Sequence, residues 1–98
     1  MNQKFVTIIA VNPKTDDQAE AIAEQQVQDF TAFGIEAKLL DSEVYPEMLL
    51  TSTNATPVQP AFMVYVGPFD TEQDAADQCD PIQHDTGAEF CTSAQPDP

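Results

Sequence analysis

The sequence predicts a single α+β domain with the element order β-α-β-β-α-β. Residues 5–11 form a run rich in β-branched side chains, and residues 62–66 alternate between apolar and exposed types, as half-buried strands do. After each run comes a threonine followed by acidic residues, a pattern typical of a helix start. The two halves also align under one constant shift, which places Thr71 on Thr15. A repeated β-α-β unit therefore accounts for most of the chain.

The first half begins with a strand at Phe5–Val11. Thr15 is predicted to open the first helix, with Gln18 as its capping-box partner, and Gly34 to end it in a left-handed conformation. A second strand follows at 35–40. The helix carries one apolar stripe at helical spacing, formed by Ala19, Ile22, Ala23, Val27, Phe30 and Phe33.

The second half places its first strand at 61–66, and Gly67-Pro68 is expected to end that strand because proline brings no N–H. Thr71 then caps the second helix, which is predicted to run until Pro81 stops it. The inner face of this helix consists of Ala75, Cys79 and Ile82. The last strand is predicted at 88–92.

Two such units predict one four-stranded antiparallel sheet with two helices on one face, as in ferredoxin-like or RNA-recognition-like folds. Residues 1–93 form a single domain in this interpretation, and residues 94–98 form a flexible C-terminal tail. The long connection at 41–60 is expected to lay the apolar cluster 48–50 against the core.

Strand alternation assigns the side chains to two faces of the predicted sheet. The side chains predicted to point toward the helices are Val6, Ile8, Ala10, Phe62, Val64 and Val66. The side chains predicted to point to the open face are Thr7, Ile9, Met63 and Tyr65. An open face with this much apolar surface is expected to meet either a ligand or another part of the chain, such as residues 45–50.

The charge of the chain narrows the range of partners. Seventeen acidic residues face three lysines and no arginine, for a formal net charge of -14. Such a surface repels nucleic-acid phosphates and anionic lipids, so we expect no nucleic-acid partner, and no apolar run predicts membrane insertion. The acidic residues either serve as a solvated surface or, in a more remote hypothesis, imitate a polyanion and inhibit a nucleic-acid-binding site.

The second half contains a recognisable motif. Val64-Tyr65-Val66-Gly67-Pro68-Phe69-Asp70-Thr71, led by the aromatic Phe62, resembles the strand, turn and helix start of the sporulation-related repeat, or SPOR, domain. The stretch Leu40–Pro46 is similar to the acidic Ser-x-x-Tyr-Pro segment of a subgroup of that family. In this subgroup, cysteines in the second helix and the last strand match Cys79 and Cys91. Nearly the whole chain is covered by the resemblance.

The resemblance implies a non-enzymatic module that binds peptidoglycan glycan strands through the open face of its sheet. It also implies an extracytoplasmic position in the bacterial cell envelope, as a domain of a larger exported protein, with a cytoplasmic position as the alternative. In this interpretation Thr7, Ile9, Met63 and Tyr65 are the ligand-binding residues, and the Tyr65 ring lies against a sugar face. The alternative function is a protein-interaction module of the same fold that binds a cell-envelope protein.

The two cysteines allow two interpretations. Cys79 and Cys91 lie near each other in the predicted topology, and the resemblance favours a disulfide over two buried thiols in a reducing compartment. His84, the only histidine, follows no standard zinc-ligand spacing, so we expect no metal site. The sequence singles out no carboxylate pair for catalysis, and we expect neither enzymatic activity nor a cofactor.

Overall fold

The structure is a computed structural model that describes residues 3–45, 48–50 and 60–96. Its strands are β1 (Phe5–Pro13), β2 (Lys38–Asp41), β3 (Leu49–Leu50), β4 (Ala61–Phe69) and β5 (Thr92–Gln95). Its α-helices are α1 (Ala19–Ala32), α2 (Glu72–Asp77) and α3 (Cys79–Thr86), and a 3₁₀ turn spans Ser42–Val44.

The strands form one antiparallel sheet in the order β2-β4-β1-β5-β3. The four strands β2, β4, β1 and β5 have the order of a ferredoxin-like sheet, with each β-α-β unit contributing one central and one outer strand. The predicted fold class is therefore confirmed. The two-residue β3, from the long connection, extends the sheet beyond β5 and was not predicted.

The helix starts differ from the prediction in the first half and match it in the second. Thr71 caps α2, because its hydroxyl oxygen accepts a hydrogen bond from the Asp74 N–H at 3.1 Å. Thr15 does not cap α1. Residues 13–18 form turns instead, in which the Asp16 carboxylate accepts from the Gln18 N–H, and the helix begins at Ala19.

The predicted end of the second helix at Pro81 is wrong. The helical path breaks at Gln78, and Pro81 lies in the first turn of α3, where its missing N–H costs nothing because that donor has no partner within the helix. The helix ends instead at Gly87, which has a φ of 71°.

The C-terminal strand lies later in the chain than predicted. Residues 88–91 form a loop, and β5 covers Thr92–Gln95, which includes part of the predicted tail. Ala94 is fully buried and pairs with Val6, so the chain is ordered through the end of this strand. The prediction for 97–98 lies outside the described residues.

A β-bulge in β1 corrects the predicted faces of that strand. Ile8 pairs with Tyr65 and Ala10 pairs with Val64, so Ile9 is an extra residue in β1. Ile9 and Ala10 consequently both pack on the helix side, and the alternation before the bulge is reversed. Val6 and Ile8 face away from the helices, contrary to the prediction, whereas Ala10, Phe62, Val64 and Val66 pack on the predicted side.

The Gly67-Pro68 segment does not end its strand. β4 continues to Phe69, which pairs with Phe5, and a second irregularity in the ladder accommodates the glycine and the proline, joined by a cis peptide bond. Gly67 has a φ of 128°, and a Cβ atom there would lie 3.2 Å from the Phe69 ring. Only glycine fits this position without displacing its neighbours.

Candidate functional site

The sheet face opposite the helices is covered by a segment of which residues 42–45 and 48 are described. Met48 is fully buried in a cluster with Val6, Ile8 and Met63, and Tyr45 packs against the same cluster. This bears out the expectation for Met48. The side chains of the other two residues of that predicted cluster, 49–50, lie outside the described part of the structure.

Hydrogen bonds hold this covering segment in place. The Ser42 hydroxyl accepts from the Ala61 N–H at 2.9 Å, which fixes the segment to the start of β4. The Asp41 carboxylate accepts from the Glu43 N–H at 2.9 Å, and the Tyr45 carbonyl accepts from the Met48 N–H at 3.0 Å. The cover is thus attached to the sheet through main-chain and side-chain contacts.

Three of the four predicted ligand-binding residues are inaccessible. Thr7 is fully buried on the helix side, where its hydroxyl donates to the Ala75 carbonyl of α2 at 2.6 Å. Ile9 is only 2% exposed and packs with Ala23 and Val64, since the bulge turns it toward the helices. Met63 faces the predicted side, but the covering segment buries it. The structure therefore does not bring the four side chains together on an open surface.

Tyr65 is the predicted ligand-binding residue that retains partial exposure. It borders a depression of about 200 Å³, which we call the tyrosine cleft. The cleft is lined by Leu39, Leu40, Asp41, Val44, Tyr45 and Tyr65. Its volume is below the roughly 300–1,000 Å³ of enclosed small-molecule sites, so the cleft offers an open contact rather than a closed pocket.

The tyrosine cleft combines apolar and polar groups. Val44 is 68% exposed and Leu39 is 36% exposed, so the rim presents aliphatic surface beside the two tyrosines. Burial, and secondarily the neighbouring Tyr45, raises the pKa of the Tyr65 hydroxyl above its ordinary value. The hydroxyl therefore remains protonated at neutral pH and is able to donate a hydrogen bond.

Two lysines reduce the negative charge beside the cleft. Lys14 Nζ lies 2.8 Å from Asp41 Oδ1 and 3.0 Å from Glu43 Oε1. Its hydrogen bond is the main reason why the pKa of the Asp41 carboxyl lies below its ordinary value. Lys38 is the cross-strand neighbour of Tyr65, and its ammonium group donates to the Gly67 carbonyl. Two of the chain's three basic side chains thus lie along this edge of the sheet.

Cys79 and Cys91 form a disulfide. The bond joins the first turn of α3 to the residue before β5 and closes a short loop. The disulfide favoured by the resemblance is therefore present, and no cysteine is free.

His84 and the cavity beside Gly67–Phe69 do not line the tyrosine cleft. His84 is exposed on α3, where its ring nitrogen lies 3.3 Å from the Asp85 carboxylate. No group of three potential metal-binding side chains occurs among residues 3–45, 48–50 and 60–96. A cavity of about 470 Å³ lies beside Gly67–Phe69, but it contains none of the four predicted ligand-binding residues. None of the helices in the described segments has the length and apolarity needed to cross a bilayer.

Comparison with protein-family models, with curated proteins and with solved structures finds no match for this chain. The resemblance to the SPOR domain therefore stays a prediction. It rests on the Gly-Pro-Phe motif, on the Ser-x-x-Tyr-Pro stretch and on the positions of the cysteines.

The sequence interpretation did not assign Asp41, Val44 or Tyr45 to the ligand-binding residues. The open face was expected to meet either a ligand or another part of the chain such as residues 45–50, and the packing of Tyr45 and Met48 on that face bears out the second expectation. The Ser-x-x-Tyr-Pro stretch also marked Tyr45 as part of a family motif. Tyr45 reaches Tyr65 only because the chain turns back over the sheet after β2. That turn is a tertiary feature with no local periodicity to reveal it.

Proposed function

We propose that this chain is a non-enzymatic binding module of the bacterial cell envelope that recognises peptidoglycan glycan strands through the tyrosine cleft. The observation that carries the proposal is that Tyr65 and Tyr45 line the same open cleft, which Asp41 also lines. Aromatic rings stack on the C–H faces of sugars, and tyrosine hydroxyls and carboxylates hydrogen-bond to sugar hydroxyls. The cleft therefore replaces the open sheet face as the binding surface.

The local charge supports a glycan as the ligand. A bare glycan strand carries carboxylates on one of its two sugars, and a chain of net charge -14 repels them at long range. Lys14 and Lys38 lie beside the cleft and offset this repulsion where the strand would lie. At physiological ionic strength, charges more than about 8 Å away are largely screened. A strand at the cleft would therefore meet mainly the local groups, where Lys14 and Lys38 balance the Asp41 and Glu43 carboxylates.

The disulfide supports a position outside the cytoplasm. Disulfides persist in oxidising compartments such as the bacterial periplasm and are rare where cytosolic thiols are kept reduced. The peptidoglycan layer lies in that same space, so location and proposed ligand agree.

Co-sedimentation with sacculi tests this proposal. Sacculi treated with an amidase expose glycan strands without stem peptides, and the wild-type chain is expected to pellet with them. Tyr65→Ala and Tyr45→Ala are expected to weaken pelleting about tenfold, because each removes an aromatic contact of the cleft. Ile22→Ser, an exposed apolar residue on α1, serves as the matched control and is expected to pellet like the wild type.

Two outcomes of this assay would contradict the proposal. The first is wild-type pelleting no greater than that of bovine albumin at both low and high salt. The second is pelleting that survives both tyrosine substitutions in folded protein. A soluble envelope protein that binds the wild-type chain but not Tyr65→Ala would favour the alternative function, a protein-interaction module at the same cleft.

A further inference from the structure

A groove of about 410 Å³ lies on the helix side of the molecule and shares no lining residue with the tyrosine cleft. Its floor is the bulged part of β1, one wall is the end of α1, and the other wall is the loop between α3 and β5. We call it the phenylalanine groove. The residues that characterise it are Val11, Asp29, Phe30, Phe33, Glu89 and Phe90.

The groove exposes an unusual amount of apolar surface. Phe33 is 60% exposed, Phe90 is 41% exposed and Val11 is 38% exposed, and all three line the same depression. Phe33 belongs to the predicted apolar stripe of α1, but it lies at the C-cap of the helix and stays largely exposed. Large exposed side chains that converge on one depression mark an interaction surface more often than scattered single ones do.

The walls of the groove are held in place before any partner arrives. The Schellman motif at the end of α1 fixes Phe33, since the Ile35 N–H donates to the Phe30 carbonyl and the Gly34 N–H donates to the Thr31 carbonyl. In the opposite wall, the Gln83 side chain donates to the Ala88 carbonyl at 3.3 Å. The disulfide at Cys91 restrains the residue directly after Phe90. Such preorganisation lowers the entropic cost of binding.

Charge identifies the kind of partner. Asp29 and Glu89 lie at the groove, and none of the residues that line it is basic. A second copy of this chain would bring another net charge of -14 against the same surface, which disfavours self-association. We propose that the phenylalanine groove binds a basic peptide segment of another protein, with apolar side chains seated among the phenylalanines and lysines or arginines facing Asp29 and Glu89.

An NMR titration of the disulfide-bonded, ¹⁵N-labelled chain tests this inference. The probe is a synthetic amphipathic peptide of roughly 14 residues, four helical turns, with lysine on one face and leucine and phenylalanine on the other. Saturable shifts are expected at the amides of Val11, Phe33 and Phe90. Phe33→Ser and Phe90→Ser are expected to weaken binding about tenfold each, while Ile22→Ser binds like the wild type. A peptide with glutamate in place of lysine is expected not to bind.

Several results would overturn the inference. They are the absence of saturable groove shifts up to about 1 mM peptide, equal binding of the lysine and glutamate peptides, and equal binding by wild type and Phe33→Ser. Concentration-dependent dimerisation that Phe33→Ser abolishes would also overturn it, because the occupant would then be a second copy. Phe33→Ser is expected to retain sacculus pelleting, so failure of this inference is distinguishable from failure of the proposed glycan function.

Discussion

The Thr7 hydroxyl group joins the central strand β1 to the helix α2. It lies in a fully buried position and donates to the Ala75 carbonyl at 2.6 Å. A polar side chain is tolerated in this part of the core because its hydrogen bond is satisfied. Thr7 is therefore expected to contribute to stability rather than to ligand binding.

Thr7→Val tests this assignment, since valine has nearly the same shape and lacks the hydroxyl. We expect a loss of about 1 kcal/mol in the free energy of unfolding, measured by urea denaturation, with unchanged sacculus pelleting. Thr31→Val is the matched control, because Thr31 makes a similar hydrogen bond to the Val27 carbonyl at an exposed site. Equal stability of the Thr7 variant and wild type, or a selective loss of pelleting, would speak against this role.

Lys14 controls the titration of Asp41. Because its hydrogen bond lowers the pKa of the folded Asp41 carboxyl, the associated stabilisation is present above the ordinary value of 3.8 and is lost as the pH falls through the folded-state pKa. In Lys14→Met, NMR titration is expected to show a higher pKa for Asp41. Lys4→Met is the control, since Lys4 pairs with Asp70 and its loss should raise the pKa of Asp70 alone. An unchanged Asp41 pKa in Lys14→Met would contradict the ion pair.

At the scale of elements, the regular parts of the chain could be predicted and the irregular parts could not. The Thr71 cap and the Gly34 helix end follow from local chemistry, and the structure contains both. The bulge at Ile9 reverses the faces of Val6 and Ile8, and no residue type announces it, because β-branched residues run through the whole strand. The faces of β1 therefore depend on its pairing with β4, which is a tertiary property.

The proposed binding surface could be predicted only in part for the same reason. Strand alternation identified Tyr65, and a cover by residues 45–50 was one of two expectations for this face. Which of its side chains Tyr45 and Met48 contact depends on tertiary packing. In the second helix, Pro81 was expected to end the helix, whereas a break at Gln78 places it in a new first turn. A sequence indicates that proline restricts a helix but not which turn it occupies.

Gly67 is expected to tolerate substitution less well than Gly34. Gly67→Ala places a Cβ atom 3.2 Å from the Phe69 ring and 3.3 Å from the Phe5 carbonyl oxygen at a φ of 128°, so we expect a loss of about 2 kcal/mol or more. Gly34→Ala meets no atom within 4 Å and pays only the left-handed backbone cost of about 1 kcal/mol. Denaturation curves of the two variants provide the comparison. Equal losses in the free energy of unfolding would show that the close approach of Gly67 to Phe69 does not matter for stability.

The disulfide is expected to support both the fold and the phenylalanine groove. Replacing both Cys79 and Cys91 with serine removes a cross-link over a short loop and should lower the free energy of unfolding by about 3 kcal/mol. It should also weaken binding of the basic peptide, because the Phe90 wall loses its restraint. Denaturation and peptide titration measure the two effects. Two free thiols in freshly exported, unreduced wild-type protein would show that the Cys79–Cys91 disulfide does not form.

At the scale of the whole molecule, the charge distribution separates two surfaces. The net charge of -14 makes most of the exterior repel anions, which is favourable for a basic peptide at the phenylalanine groove and unfavourable for an anionic glycan. Lys14 and Lys38 lie along the β2 edge of the sheet and relieve part of that repulsion beside the tyrosine cleft. One small domain thus offers two chemically different surfaces, and their ligands are expected to bind independently.

NMR shift mapping with soluble glycan strands that lack stem peptides tests the central claim most directly. The proposal predicts saturable shifts at the backbone amides of Asp41, Val44, Tyr45 and Tyr65, with no response from Phe33 or Phe90. It also predicts that Tyr65→Ala removes these shifts while the rest of the spectrum remains that of a folded protein. Shifts confined to other parts of the surface, or no shifts at millimolar strand concentration, would contradict glycan recognition through the tyrosine cleft.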